Sequence, residues 1–270
     1  MKLLAVDIGN TDIKFGLFIN GDLKNYWRAS GTDQPPEKFS TVLRNSLAAK
    51  GAKFDAVVYC SVVPHIDPVF VKTIRFCYPL KFPVVQIDPL KAKIPITIKH
   101  YPVDQLGIDR LVNACGARLL YPDRNLVIAD FGTATTFDVV TASGEYLGGA
   151  IAPGIRVFNE CLSQNTARLT IVPFQKAPSI IGHNTADCLK AGITIGYRGL
   201  VREIMGQILA ELKTTPNINE TMCVATGGAA EAFINMCPEE KFFHTIEPTL
   251  TLKGLNALYH HNINMEASTA

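Results

Sequence analysis

Three features of the 270-residue chain predict an α/β fold in which one unit is written twice. Strand-like and helix-like segments alternate, which implies sheets with helices packed on them. The phrase AVDIGNTDIKFGLFINGD at 5–22 returns as IADFGTATTFDVVTASGE at 128–145. Laid on each other without a gap, Asp7 falls on Asp130, Gly9 on Gly132 and Gly21 on Gly144. In each half this phrase opens a run of three strands before helices enter.

The elements follow in order. Residues 2–7 are an apolar run, and IKFGLF and NYWRAS continue as strands. Asn20-Gly21-Asp22 turns the chain between them, because Asn and Gly accept the positive φ of a tight hairpin. PPEKFSTVLRNSLAAKG has helical spacing, with Pro at its start, Phe39, Val42, Leu43 and Leu47 inside, and Gly51 at its end. DAVVYCSVV reads as a buried strand. In DQLGIDRLVNACGARLLYP a helical reading puts Ile108, Leu111, Val112, Cys115 and Leu119 on one face. Asp109, Arg110 and Asn113 then share the opposite, polar face. NLVIADF, TTFDVV and YLGGAIA are strands, and 182–213 is largely helical. TMCVATGG is a strand ending in a glycine turn, and 250–261 closes with a helix. The expected domains are 1–121 and 122–262, with 263–270 as a frayed tail.

Composition narrows the class of function. The net charge of +2, with no Lys/Arg block, offers no electrostatic footprint for nucleic acid. No apolar run is long enough to span a membrane, and no signal peptide is visible. The cysteines number seven, an odd count without a C-x-x-C. They read as small buried hydrophobes of a reducing compartment, and a cytoplasmic location is expected. His260-His261 has no Cys or acidic cluster beside it, and Trp27 reads as core.

The doubled turn suggests chemistry. Glycine lets backbone come close to a ligand, and Asn and Thr add side-chain donors beside free N–H groups. Such a concave set of donors suits an anion, most simply a phosphate. An Asp at the strand end cannot bind phosphate directly but can hold a cation, or its waters, that neutralises the phosphate. A single Asp-x-Gly would be an ordinary hairpin turn, and a purely structural duplication stays open as the lesser reading. Neither G-x-x-x-x-G-K-[ST] nor G-x-G-x-x-G occurs. Gly107, a poor helix residue just before Asp109, suggests that something approaches that acid closely.

The paired hairpins, with ATGGAAEAF at 225–233 as a third element, resemble the duplicated nucleotide-binding fold of actin, hexokinase and the Hsp70 ATPase domain. That fold is ribonuclease H-like and holds nucleotide in an interdomain cleft. More specifically, VDIGNTDIKFGLF, YWRAS, CSVVP, LGIDR, DFGTATTFDVV, YLGGAIAPGI, IGHNTADCLKAGITIGYRGLV and ATGGAA, in this order, resemble type III pantothenate kinase. The resemblance implies ATP-dependent phosphorylation of pantothenate, the first step of coenzyme A synthesis. It implies an ATP loop at Asp7, Ile8, Gly9, Asn10, Thr11, Asp12, Ile13 and Lys14, with Thr133, Gly227 and Gly228 as further nucleotide contacts. It makes Asp109 the catalytic base, and Tyr101, Gly107, Ile108, Asp109, Arg110 and Thr185 the pantothenate contacts. It assigns a monovalent cation, K⁺ or NH₄⁺, to Asp130, Mg²⁺ to the ATP, and a homodimer to the whole. Two departures stand out: Asp12 where the family often has Asn, and Tyr101 directly before Pro102. A sugar or small-acid kinase, or a phosphatase, of the same superfamily would share the hairpins but lack G-x-D-R and the GGAIAPG segment. A regulatory protein that keeps only the nucleotide clamp is the alternative outside enzymes.

Overall fold

The computed structural model describes residues 1–32, 34–51, 53–78, 83–218 and 220–267. In chain order the strands and helices are β1 (Lys2–Ile8), β2 (Asp12–Ile19), β3 (Asp22–Ser30), α1 (Pro36–Ala49), β4 (Ala56–Ser61), α2 (Asp67–Cys77), β5 (Val84–Gln86), β6 (Thr97–Ile98) and α3 (Ile108–Leu120). There follow β7 (Asn125–Phe131), β8 (Ala134–Val140), β9 (Glu145–Pro153), α4 (Ile155–Asn165), α5 (Thr185–Thr214), β10 (Thr221–Thr226), α6 (Ala230–Met236), β11 (Thr245–Ile246) and α7 (Leu250–Ala267). They form two compact units, Met1–Tyr121 with Thr249–Ala270, and Pro122–Pro248.

The two units share one topology. In the first, the strand order is β3-β2-β1-β4-β5, and in the second the strands run β9-β8-β7-β10-β11. In each, three antiparallel strands from one hairpin run continue into two parallel ones. The gapless likeness of the two phrases conceals a difference in their turns. Ile8 pairs with Ile13, whereas Phe131 pairs with Thr135, so the second unit's first turn is one residue shorter. Its next turn is one residue longer: Ile19 pairs with Asp22 around Asn20 and Gly21, while Thr141 N–H donates to the Glu145 carbonyl around 142–144. The changes cancel along the string, and Gly21 and Gly144 both keep positive φ, 91° and 86°.

Hydrophobic periodicity explains how each sheet is covered. In the first unit Phe39, Leu43 and Leu47 of α1 bury against Val6, Ile8, Phe15 and Trp27 of the sheet. Val42, expected inside, is only half-buried. Trp27 is core, stacked on Phe15 at 5.1 Å with its indole N–H on Ser46 Oγ at 2.9 Å. In the second unit α5 lays Tyr197, Val201 and Met205 over Val127, Ala129 and Phe131. Fully burying one such side chain is worth about 1.5–3 kcal/mol, which makes these stripes the main source of stability.

The structure departs from the sequence reading at two helices. Residues 250–262, expected in the second domain, belong to the first unit, where Leu250, Leu252, Leu255 and Leu258 of α7 are buried. The helix runs on to Ala267, into the expected tail, and 268–270 lie outside the described residues. Consequently α3 has no solvated face: every residue from Arg110 to Ala117 is buried. The helices meet so closely that a Cβ on Gly116 would lie 2.6 Å from the Gly254 Cα. Asn113, expected on a polar face, receives instead a hydrogen bond from Thr251 Oγ1 at 2.8 Å. Of the cysteines, Cys60, Cys115, Cys223 and Cys237 are buried as expected, but Cys161 and Cys188 are exposed. No described helix is long and apolar enough to cross a membrane.

Candidate active site

In the first unit the β1–β2 hairpin carries Asp7 to Lys14. Ile8 and Ile13 point into the core and act as scaffold, so their backbone alone can meet a ligand. Gly9 N–H closes the turn on the Asp12 carbonyl at 3.0 Å, and Asn10 stands exposed at its tip. Asp7 and Lys14 are cross-strand partners, and their side chains form an ion pair of 2.9 Å. Asp12 accepts from Ser30 Oγ at 3.1 Å, which ties the turn to the end of β3.

A second carboxylate belongs to the same neighbourhood. Asp109 lies in the first turn of α3, where the helix N-terminus favours negative charge. Its Oδ1 accepts the Arg110 N–H at 2.8 Å. Gly107 has an ordinary φ of −53°, so its role is space: a Cβ there would lie 2.7 Å from Asp109 Oδ1. The close approach that the glycine suggested is thus made by the carboxylate of Asp109 itself. Arg110 is buried, with Nη1 3.5 Å from the Tyr101 hydroxyl and its guanidinium 5.9 Å from that ring. Burial brings together what the sequence placed on a solvated face, and it sets Tyr101 beside Arg110. Ile108 is only half-buried.

Cys60 stands against the first of these acids. It ends up opposite Asp7 because β1 and β4 run parallel in that register. Its Sγ lies 3.6 Å from Asp7 Oδ1. Burial raises the Cys60 thiol well above its ordinary pKa, and the charges of Asp7 and then Asp109 push it further. Sequence reasoning passed over this residue as a buried hydrophobe, because strand register alone puts it beside Asp7.

In the second unit the corresponding hairpin is braced from two sides. Gly132 N–H bonds the Ala134 carbonyl, and Gly154 N–H bonds the Thr133 carbonyl, each at 3.0 Å. Thr133 is exposed at the tip. Asp130 pairs in register with Thr226, one residue before the glycine turn. Gly227 has φ +90°, and a Cβ on it would lie 2.3 Å from Asp130 Oδ1, so glycine is required on both counts. Gly228 is exposed. Behind the hairpin, Thr135 Oγ1 and the Tyr197 hydroxyl are 2.6 Å apart, and Asp138, wholly buried, accepts from Tyr146 at 2.7 Å. Thr185 starts α5, exposed behind the Asn184 cap, and borders an apolar groove with Phe158, Leu162, Leu189 and Ile193.

Among the described residues no group of three or more His, Cys, Asp or Glu could hold a metal ion.

A meander-plus-parallel sheet occurring twice, each with an Asp-bearing glycine hairpin, defines a member of the actin-like α/β class. A conserved Baf family protein from Campylobacter jejuni has the same fold, with a TM-score of 0.58 at 20% identity, covering 97% of this chain and 99% of that one. The family model for type III pantothenate kinase matches residues 3–207. Type III pantothenate kinases of Thermobifida fusca (strain YX) and Pelobacter propionicus (strain DSM 2379 / NBRC 103807 / OttBd1) are each 38% identical over 265 residues, covering 96% of this chain and 99% of their own. The chain belongs to the type III pantothenate kinase family.

Proposed function

We propose that this protein transfers the γ-phosphoryl group of ATP to the primary hydroxyl of pantothenate, with Asp109 as general base. Family membership supports the reaction. What supports Asp109 as the base is its place in the first turn of α3, a helix that packs on β4, the strand whose Cys60 Sγ lies 3.6 Å from Asp7 Oδ1. Phosphoryl transfer is chiefly positioning and charge neutralisation. In this reading the N–H groups and side chains of Gly9 to Asp12, and those around Thr133, hold phosphates. Lys14 adds a positive charge that Asp7 keeps in place. The Gly227-Gly228 turn meets the adenosine, with Gly228 exposed toward it. Asp109 accepts the hydroxyl proton as the oxygen approaches phosphorus, a contribution of about 10²–10⁴-fold. Arg110 and Tyr101 orient pantothenate, since a guanidinium matches planar acceptors such as its carboxylate or amide. Thr185 serves the same substrate.

Asp7 would serve the Mg²⁺ that accompanies ATP. K⁺ or NH₄⁺ would be held by Asp130, where it would offset phosphate charge. The protein acts as a cytoplasmic homodimer, a state that sedimentation at two concentrations checks. The test of the reaction is ADP release from MgATP on addition of pantothenate, against a panel of other hydroxyl acceptors. A sugar giving faster release than pantothenate overturns the substrate, and nucleotide binding without any ADP supports the regulatory alternative.

A further inference from the structure

Cys60, the next-to-last residue of β4, lies directly opposite Asp7 in a parallel register that runs from Leu3↔Ala56 to Ile8↔Ser61. The two oxygens of the Asp7 carboxylate have different partners. Oδ2 takes the Lys14 ammonium at 2.9 Å, and Oδ1 takes the Cys60 thiol at 3.6 Å. Lys14 comes from β2 on one side of β1, and Cys60 from β4 on the other. Cys60 and Asp7 are both buried, at 1% and 5% exposure, so water competes little for the contact. We propose that Cys60 is a positioning residue for nucleotide binding: with Lys14 it clamps the Asp7 carboxylate from both flanks and fixes its rotation.

The inference rests on the reading that Asp7 serves MgATP. A carboxylate held at one oxygen can still swing about its terminal torsion, which is broad and two-fold. A second donor on the other oxygen removes that freedom before ATP arrives. A thiol is a weak donor. Its contribution is therefore orientation more than strength, and the effect belongs in nucleotide affinity.

The experiment uses Cys60→Ala and Cys60→Ser in the full chain. Both lose similar packing volume, so both lower the melting temperature, but only serine keeps a donor. MgATP affinity is read by direct titration, and KM for each substrate and kcat by ADP release. Cys60→Ala is expected to weaken MgATP binding and raise its KM by about three- to tenfold. KM for pantothenate should stay unchanged, and Cys60→Ser should recover most of the loss. In an Asp7→Asn background, Cys60→Ala should add little, because the group it orients is altered. Equal MgATP affinity in wild type and Cys60→Ala, or a serine variant as weak as the alanine one, overturns the clamp. If wild type releases no ADP with pantothenate, the proposed function fails. The MgATP titration still decides the role of Cys60.

Discussion

Asp109 is held by its surroundings before any substrate arrives. The helix N-terminus favours its charge, the Arg110 N–H takes Oδ1, and the bare Cα of Gly107 leaves the space that this oxygen fills. Asp109→Asn keeps the shape and removes the proposed base, so kcat should fall by about 10²–10⁴-fold while MgATP affinity persists. Near-normal turnover would remove Asp109 from the reaction. Gly107→Ala is a finer probe. The backbone at φ −53° admits alanine, and the added Cβ would meet Asp109 Oδ1 at 2.7 Å, so the carboxylate has to move. Misplacing a reacting group by an ångström costs on the order of 10²-fold, and kcat should drop by about 10–10²-fold. The fold should lose only about 1 kcal/mol, from replacing a glycine N-cap. Unchanged kcat in a folded Gly107→Ala protein would show that the carboxylate has room to spare.

At the scale of elements, α5 secures the second hairpin through Tyr197. The ring lies against Phe174 and Phe233, and its hydroxyl meets Thr135 on β8. Burial pushes this phenol up to about 12 from its ordinary 10. Only the neutral form fits the core, so the stabilisation is complete below pH 10. It is lost between pH 10 and about 12, where the unfolded chain ionises and the folded one does not yet do so. Two pKa units correspond to about 2–3 kcal/mol. Tyr197→Phe should cost about 1 kcal/mol at neutral pH by removing the hydrogen bond. Its urea midpoint should then fall less steeply than wild type from pH 10 to 12, and parallel curves would contradict this account. What the sequence disclosed at this scale depends on range. The strands and α1 were legible because hydrophobic periodicity is local, and the doubled hairpin because its spacing survives in the string. Helix α4 went unread, since Ile155 to Asn165 follows an unbroken apolar strand and only Ile155 and Asn159 are buried. The burial of Arg110 and Asn113 was illegible because the covering helix lies well over a hundred residues downstream. Cys60 was missed for the same reason, its partnership being a matter of strand register.

For the whole molecule, the shared topology of the units gives each hairpin an Asp at the end of its first strand, and the structure makes the two unlike. Asp7 is buried and paired with a lysine, so its charge is balanced within the protein. In the register of the second hairpin the residue across from Asp130 is Thr136, which carries no charge. The second hairpin thus has no lysine across from its acid, while its N–H donors still suit an anion. In the proposed reading, K⁺ or NH₄⁺ at Asp130 would offset phosphate charge beside this hairpin. Activity should then be several-fold higher in KCl than in NaCl at equal ionic strength, since Na⁺ binds its water more tightly and suits a smaller cage. Placing a lysine across the strand, Thr136→Lys, should weaken the dependence on K⁺, whereas Asp130→Asn should abolish activity at any K⁺ concentration. The measurement is ADP release across a KCl/NaCl series for the three proteins. Equal rates in both salts for wild type would mean that Asp130 serves the phosphates without a bound cation.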